Sequence, residues 1–428
     1  MKPKTAFGSP QPPMAARPAL FVLLALLASP LVETLVSGGD WPQFLGPLRN
    51  GTATDTNVAR EWPKDGPPVV WRKKIGAGFA GPVVSNGRLF LFHRVGDQEV
   101  VDCFDARTGR DEWQSGYPTH YRDDFGFDEG PRGTPTVVSN RVYTYGAEGM
   151  LGCWDASDGR KVWSADTKSQ FRQSKGFFGM ACSPLIEGDL VVLNVGGKGG
   201  AGLVAFDRST GKVRWKASDD EASYASPVAA TVAGSRRVFA ITREALISVN
   251  PLDGSVAFRY PWRPSMDASV SAATPLVIDD QIFISASYGT GATLLRLRGN
   301  RPEKVWSSDE SLSNHYATSV HRDGLLFGFD GRQEHGCDLR CVELQSGKVR
   351  WSEGGLGAGT VTLAGDRLLV LTEKGELIQA PATSTGFKPS ARAQILPFGA
   401  RAHPALAEGR FYARSKDQLH CVDLTQKP

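Results

Sequence analysis

Short apolar stretches separated by turn residues fill most of the chain, and no helical periodicity follows the first 38 residues. Residues 83–92 illustrate the pattern, because two apolar strands meet at an Asn-Gly dipeptide (86–87) that favours a two-residue hairpin. Residues 100–104 give a third strand, and a Thr-Gly turn at 108–109 leads to a fourth. Alternating strands with a turn signal about every ten residues predict an all-β fold.

A nine-residue pattern recurs along these strands. It starts with an acidic residue or Asn, has Gly four residues later and ends eight residues later on Trp or Phe. The copies end at Trp113, Trp163, Trp215, Phe258 and Trp351. The segment that ends at Trp306 keeps the spacing without the Gly. Trp accounts for only 10 of 428 residues, so its return at one fixed offset indicates an internal repeat.

A second marker follows each copy and consists of a small residue, usually before Pro. It is found at positions 81, 134, 183, 226, 274, 318, 359 and 403. The spacing between markers is close to the period of propeller blades with four strands each. Eight markers therefore predict an eight-bladed β-propeller.

The two ends of the repeat region complement each other. The last copy stops after residues 419–423 and lacks a Trp strand, whereas an extra Trp strand at 69–75 precedes the first marker. We expect the N-terminal strand to complete the last blade and to close the ring, which leaves no unpaired interior edge. The propeller would then span residues 69–428.

The N-terminus has the order of a secretory signal peptide over residues 1–38. Arg17 precedes an apolar run at 19–28, and small residues follow at 37–39. The run is shorter than the roughly 20 residues that span a bilayer. We predict a periplasmic or secreted protein with no stable membrane span after signal cleavage; an uncleaved anchor is the alternative. Residues 39–68 would form an N-terminal extension packed on or beside the ring.

Charge and metal-binding motifs narrow the functional classes. The net charge is only +4 and no basic run stands out, which argues against a nucleic-acid partner. The sequence has no His-Glu-x-x-His motif and no close Cys/His cluster, so no metal site is predicted. Four of the six cysteines (103, 153, 341 and 421) occupy one repeat slot, two residues before the acidic residue, which is typical of a small buried position.

The repeat resembles that of the pyrroloquinoline-quinone (PQQ) family. Residues 205–215, Ala-Phe-Asp-Arg-Ser-Thr-Gly-Lys-Val-Arg-Trp, match the family pattern Ala-x-Asp-x-x-Thr-Gly-Lys-x-x-Trp. Segments 40–47, 284–289 and 328–334 are similar to PQQ-binding-like propellers of environmental bacteria. The family includes quinoprotein alcohol dehydrogenases and the propeller lipoprotein that helps to insert outer-membrane proteins. The resemblance implies the propeller fold over about residues 69–424 and is less specific for function.

Three functions follow from this resemblance. The dehydrogenases of the family hold PQQ beside Ca²⁺ and carry two adjacent, disulfide-bonded cysteines, but this chain has no adjacent Cys pair. We therefore expect a non-catalytic ligand- or protein-binding module, with no catalytic residue. A PQQ-dependent dehydrogenase with PQQ and calcium as cofactors is one alternative. An envelope protein-assembly scaffold is the other, and an exposed aromatic patch within residues 39–68 would favour it.

The expected binding site is the mouth of the central channel. Two loops per blade should face it, namely the loop before the marker and the loop between strands two and three, and basic residues outnumber acidic ones in these loops. This composition predicts a mildly electropositive concavity for a polar or anionic small molecule or for a segment of an envelope protein. The candidate ligand-binding residues are Arg132, Phe178, Tyr224, Arg243, Glu244, His315, Tyr316, Asp330, Arg332, Glu334 and Arg401.

Overall fold

The computed structural model describes residues 39–264, 266 and 269–425, together with residues 1, 3 and 8. The predicted signal peptide therefore falls outside the described residues, apart from those three positions. The described part forms 33 strands and one helix of five residues, so the all-β prediction is confirmed. No helix in these ranges is both long and apolar enough to cross a membrane.

Two strands, β1 (Thr52–Ala53) and β2 (Val69–Lys74), precede the first blade. Blade one contains β3 to β6 (Val83–Ser85, Arg88–Val95, Gln98–Asp105, Asp111–Pro118). Blade two contains β7 to β10 (Thr136–Val138, Arg141–Tyr145, Met150–Asp155, Lys161–Asp166), and helix α1 (Thr167–Phe171) follows it. Blade three contains β11 to β14 (Leu185–Glu187, Leu190–Asn194, Leu203–Asp207, Val213–Ala217). Blade four contains β15 to β18 (Val228–Val232, Ser235–Ile241, Ala245–Val249, Val256–Pro261).

The second half of the ring repeats this arrangement. Blade five contains β19 to β22 (Leu276–Ile278, Gln281–Ala286, Gly291–Arg298, Arg301–Ser308). Blade six contains β23 to β26 (Val320–Arg322, Leu325–Arg332, Gly336–Glu343, Val349–Glu353). Blade seven contains β27 to β30 (Gly359–Ala364, Arg367–Thr372, Glu376–Pro381, Ala391–Gln394). Blade eight contains β31 to β33 (Ala405–Ala407, Arg410–Arg414, Gln418–Asp423) and takes its fourth strand from the N-terminus.

The closure of the ring is confirmed. Strand β2 pairs with β33 in antiparallel register, and Trp71 lies opposite Cys421. The first strands of neighbouring blades pack against one another around the channel, and the later strands of each blade follow outward. The six cysteines are all buried and free, and the four in the repeat slot are fully inaccessible.

The Trp and Gly of the repeat meet between blades. The indole of Trp71 lies on Gly109 of blade one, and a Cβ atom at Gly109 would come within 2.8 Å of the ring. The Trp71 Nε1 donates to the carbonyl of Ala106 at 3.0 Å. Trp113 makes the same two contacts with the next repeat, through Gly159 and the Ala156 carbonyl. The Gly also has a positive φ, +70° at Gly109, which an L side chain rarely adopts.

The small residue of the second marker forms hydrogen bonds between neighbouring blades near the channel. The backbone N–H of Gly81 donates to the Thr134 hydroxyl at 3.0 Å, and the Thr134 N–H donates to the Ser183 hydroxyl at 2.9 Å. The Ser183 N–H continues the series to Ser226 at 2.8 Å. The Thr274 N–H makes the same bond to the Thr318 hydroxyl at 3.0 Å. At these four junctions a Ser or Thr of one marker therefore joins adjacent blades at the inner rim.

We expect substitution of Trp71 to weaken ring closure. Trp71→Ala should reduce the free energy of unfolding by about 3–5 kcal/mol because it removes a large buried ring between the two chain ends. Trp71→Phe should reduce the free energy of unfolding by only about 1 kcal/mol. A Phe, Phe258, fills the equivalent slot in blade four, and the Ala106 carbonyl still accepts a hydrogen bond from the Tyr412 hydroxyl. Urea unfolding of the three proteins measures both changes; equal losses in the two variants would contradict this account.

Candidate functional site

A cavity of about 190 Å³ opens at one end of the central channel. Seven of the eight connections that lead into a first strand contribute to its wall, and the hairpin loops of blades five and six add residues. Its lining is largely aromatic and includes Phe44, Phe79, Phe127, Phe178, Tyr224 and Tyr288. Both sets of loops named in the sequence analysis therefore reach this cavity.

Residues 39–53, here called the strap, lie across the first strands on the far side of the cavity. Trp41 exchanges two backbone hydrogen bonds with Val84 of β3, and the Pro42 carbonyl accepts from Val137 of β7. Farther along the strap, β1 pairs in parallel with β27 of blade seven. The strap therefore crosses the channel, and its Phe44 contributes to the lining of the cavity.

Arg49 fixes the strap to the channel wall. Its guanidinium donates to the carbonyls of Ser183 at 2.8 Å, Pro184 at 3.1 Å and Pro227 at 3.0 Å. Burial lowers the pKa of Arg49 to about 10 because it removes the charge from water. The side chain therefore remains protonated at neutral pH, and the three carbonyls compensate the charge.

One wall of the cavity combines aromatic rings with Arg132. The guanidinium carbon of Arg132 lies 5.6 Å from the centroid of the Phe79 ring and 5.4 Å from that of Phe178. The Asp123 carboxylate lies 3.3 Å from Arg132 Nη2 and balances its charge. Tyr224 packs 5.7 Å from Phe178 between ring centroids. Such a wall suits a flat, apolar ligand surface.

An aromatic ledge, defined here as Phe125, Phe127, Phe177 and Phe178, continues this wall towards solvent. Phe125 is 55% exposed and Phe127 is 46% exposed. The Phe125 and Phe178 ring centroids are 5.2 Å apart. Because Phe127 and Phe178 also line the cavity, the ledge and the cavity form one continuous aromatic surface.

The wall contributed by blades five and six carries a hydrogen-bonded group around His315. The Nδ1 atom of His315 lies 2.9 Å from the side-chain oxygen of Gln333, and Nε2 lies 3.0 Å from the Tyr288 hydroxyl. Burial lowers the pKa of His315, which favours the neutral ring. A neutral ring donates through Nδ1 to the Gln333 oxygen and accepts the Tyr288 O–H at Nε2, so both nitrogens are occupied.

Near this group, several polar atoms have no hydrogen-bond partner among the described residues. They are Tyr316 Oη, His403 Nε2 and Glu373 Oε2, all buried. Glu373 Oε2 is 3.4 Å from the Nε atom of Arg401, whose guanidinium carbon lies 5.9 Å from the Phe79 ring centroid. Burial lowers the pKa of His403 to about 4, so its ring is neutral. Unpaired buried polar atoms are rare in native proteins, and Tyr316 and His403 of this group line the cavity together with Arg401.

The structure brings together seven of the eleven candidate residues. Those that line the cavity are Arg132, Phe178, Tyr224, His315, Tyr316, Glu334 and Arg401. The other four lie outside the lining and have other contacts. Asp330 pairs with Arg340 at 2.9 Å, and Glu244 pairs with Arg263 at 2.9 Å.

The remaining two arginines pack on aromatic rings. The Arg243 guanidinium carbon lies 5.6 Å from the Phe177 ring centroid, and Arg243 also pairs with Glu221 at 3.4 Å. The Arg332 guanidinium carbon lies 4.5 Å from the Tyr288 ring centroid. Arg132 and Arg401, which do line the cavity, each have a carboxylate neighbour. The mouth is therefore closer to neutral than a count of basic loop residues indicates.

Four residues in or beside the cavity are not among the candidate residues predicted from the sequence, namely Phe79, Tyr288, Glu373 and His403. Phe79 has a signal in the sequence that could have identified it, because the residue two positions before a marker lines the cavity in seven of eight repeats. These residues are Phe79, Arg132, Ala181, Tyr224, Ala272, Tyr316 and Arg401. Phe44 carries no such signal because it lies outside the repeats.

Within the described part of the chain, no three His, Cys, Asp or Glu side chains are grouped so that they could hold a metal ion. The aromatic patch that would favour a scaffold is also not found in the N-terminal extension, because Trp41 and Trp62 are 2% and 6% exposed.

A protein-family model described as outer membrane protein assembly factor BamB matches residues 96–353, more than half of the chain. The chain belongs to this PQQ-repeat family. A search of the curated proteins found no match.

Solved structures similar to this PQQ-repeat chain include BamB from Moraxella catarrhalis, with a TM-score of 0.62 at 16% identity, covering 84% of this chain and 98% of BamB. The quinohemoprotein alcohol dehydrogenase from Comamonas testosteroni gives a TM-score of 0.63 at 14% identity, covering 91% of this chain and 81% of the dehydrogenase. At such identities the likeness shows the propeller fold alone. The fold is thus shared by an assembly factor and an enzyme, and the function must be argued from the site.

We expect His403 to make stability depend on pH. Its pKa is about 4 in the folded protein against 6.5 for an unperturbed histidine, so as the pH falls the unfolded chain takes up a proton first. His403 should therefore reduce stability by about 3 kcal/mol between pH 6.5 and pH 4. Urea unfolding of wild type and His403→Gln across this range should give a flatter pH profile for the variant. The exposed His335→Gln is the control; an unchanged slope in His403→Gln would contradict the assignment.

Proposed function

We propose that this PQQ-repeat propeller is an exported, non-catalytic binding protein that holds a compact ligand in the channel cavity. The ligand has an aromatic or flat apolar body and a polar or anionic group. One observation carries the proposal: aromatic rings line one side of the cavity, and unpaired buried polar atoms, including Tyr316 Oη and His403 Nε2, lie on the other.

The side chains in the cavity favour binding over catalysis. Both nitrogens of His315 are occupied by Tyr288 and Gln333, so this ring is held in place as a hydrogen-bonding wall. Arg132 has a carboxylate partner and packs on rings, which gives a rigid surface. A rigid, preformed site reduces the entropy lost on binding.

A second function, docking of an envelope protein segment, is supported by the aromatic ledge. Large exposed aromatic patches often mark protein interaction sites, and the ledge leads directly into the cavity. The family description, an outer membrane protein assembly factor, points in the same direction. In that case an apolar side chain of the partner would enter the cavity.

Ligand binding can be measured by thermal shift with a panel of aromatic compounds, because a ligand selective for the folded state raises Tm. We expect Phe178→Ala to weaken the binding of any hit by about tenfold, since it removes a ring from the wall. Phe125→Ala, on the ledge but outside the cavity lining, should leave small-ligand binding unchanged. PQQ with and without Ca²⁺ belongs in the panel: a calcium-dependent shift would favour the dehydrogenase alternative, and no shift with any compound would count against a small-molecule site.

Protein docking calls for a different measurement. A photo-crosslinking residue at position 125 should give discrete adducts in the cell envelope, because Phe125 lies at the exposed end of the ledge. Leu252, which is 86% exposed on a turn beside β18, is the matched control position. Equal crosslinking from both positions would indicate random collisions and would contradict docking at the ledge.

A further inference from the structure

The polar groups around Arg401 differ from the rest of the cavity in what they can bind. Arg401 makes no side-chain hydrogen bond to a described residue; its polar contact is the 3.4 Å ion pair between Nε and Glu373 Oε2, and its guanidinium also packs on Phe79. Its side chain is 23% exposed. The Tyr316 hydroxyl has no hydrogen-bond partner among the described residues, and the Arg401 guanidinium makes none there besides its ion pair.

His403 adds a second polar atom to the same wall. The residue is 8% exposed, and its neutral ring has an unpartnered Nε2 atom. The edge of Phe44 from the strap packs against it, with the ring centroids 5.2 Å apart, so the imidazole is held in one position. A neutral imidazole can donate from one of its nitrogens, which makes it compatible with an acceptor group.

We infer that Arg401, Tyr316 and His403 form a carboxylate subsite of the cavity, and that the ligand is a small aromatic monocarboxylate. This inference rests on the proposed function, because it assigns the polar end of the same ligand. The guanidinium offers a planar fork that matches a carboxylate, and the Tyr316 hydroxyl supplies a further donor. The rings of Phe79 and Phe44 beside these groups place the aromatic body next to the charge.

The Glu373 carboxylate stabilises the charge of Arg401 when no ligand is bound. Its side chain is 15% exposed, and its Oε2 atom faces Arg401 without a hydrogen bond. Because this ion pair is long, the Glu373 carboxylate balances the Arg401 charge but leaves the guanidinium N–H groups available to a ligand. The same negative charge disfavours a doubly charged group such as phosphate next to it, which is why the subsite suits a monoanion.

The test uses two probes that differ in the replacement of a carboxylate by a neutral amide, indole-3-acetate and indole-3-acetamide, titrated into the protein by calorimetry. The acetate should bind about tenfold more tightly than the acetamide. Arg401→Met should reduce the acetate to the level of the acetamide and leave the acetamide unchanged, and Arg401→Lys should restore part of the difference. Glu373→Gln should strengthen acetate binding, because it removes the competing carboxylate.

Arg392→Met is the matched control. Arg392 lies on the outer strand of the neighbouring blade seven and pairs with Glu376 of the adjacent strand. Its affinity ratio for the two probes should equal that of wild type. Equal binding of acetate and acetamide to wild type would overturn the carboxylate subsite and leave the aromatic cavity intact. If neither probe binds to wild type, the proposed small-molecule function fails and the subsite fails with it.

Discussion

The contact between an indole ring and a glycine of the next blade is the interaction on which this propeller depends. At five of the blade junctions an indole lies on a glycine turn that has no Cβ atom, and this close contact constrains the distance and the angle between neighbouring blades. The Nε1–H to carbonyl bond then sets the position of the ring within its own plane. Repeated around the circle and closed by β2 against β33, this contact fixes the width of the channel.

A second constraint carries this geometry to the cavity. The hydrogen bonds between successive markers, from Gly81 to Thr134 to Ser183 to Ser226, hold the inner ends of the blades in register. The residue two positions before each marker lies next to this anchored backbone, so its side chain is directed into the cavity in seven of the eight repeats. The residue at this position is Phe, Arg, Ala or Tyr in different repeats, and this variation gives the cavity a wall of mixed chemistry on a repeated scaffold.

The fold could be predicted from sequence because it depends on local, repeated signals. The eight markers predicted eight blades, and the extra Trp strand at the N-terminal end, together with the Trp strand missing from the last copy, predicted their closure. The candidate site was only partly accessible by this reasoning. Loop membership correctly brought residues such as Arg132, Tyr316 and Arg401 to the mouth, but it could not distinguish a side chain that turns into the cavity from one that pairs sideways, as Asp330 does with Arg340. That choice depends on neighbours far apart in the chain.

Phe44 and Arg49 show the limit most clearly. The strap has no repeat pattern, yet Arg49 bonds to carbonyls about 135 and 178 positions away, and this contact closes the channel beneath the cavity. Without the strap, the cavity would continue through the ring as a channel. With it, Phe44 gives the cavity an apolar base and holds His403 against the polar wall. The segment outside the propeller repeats therefore shapes the cavity together with the blades, and the ligand specificity that we propose depends on the N-terminal extension as well as on the repeats.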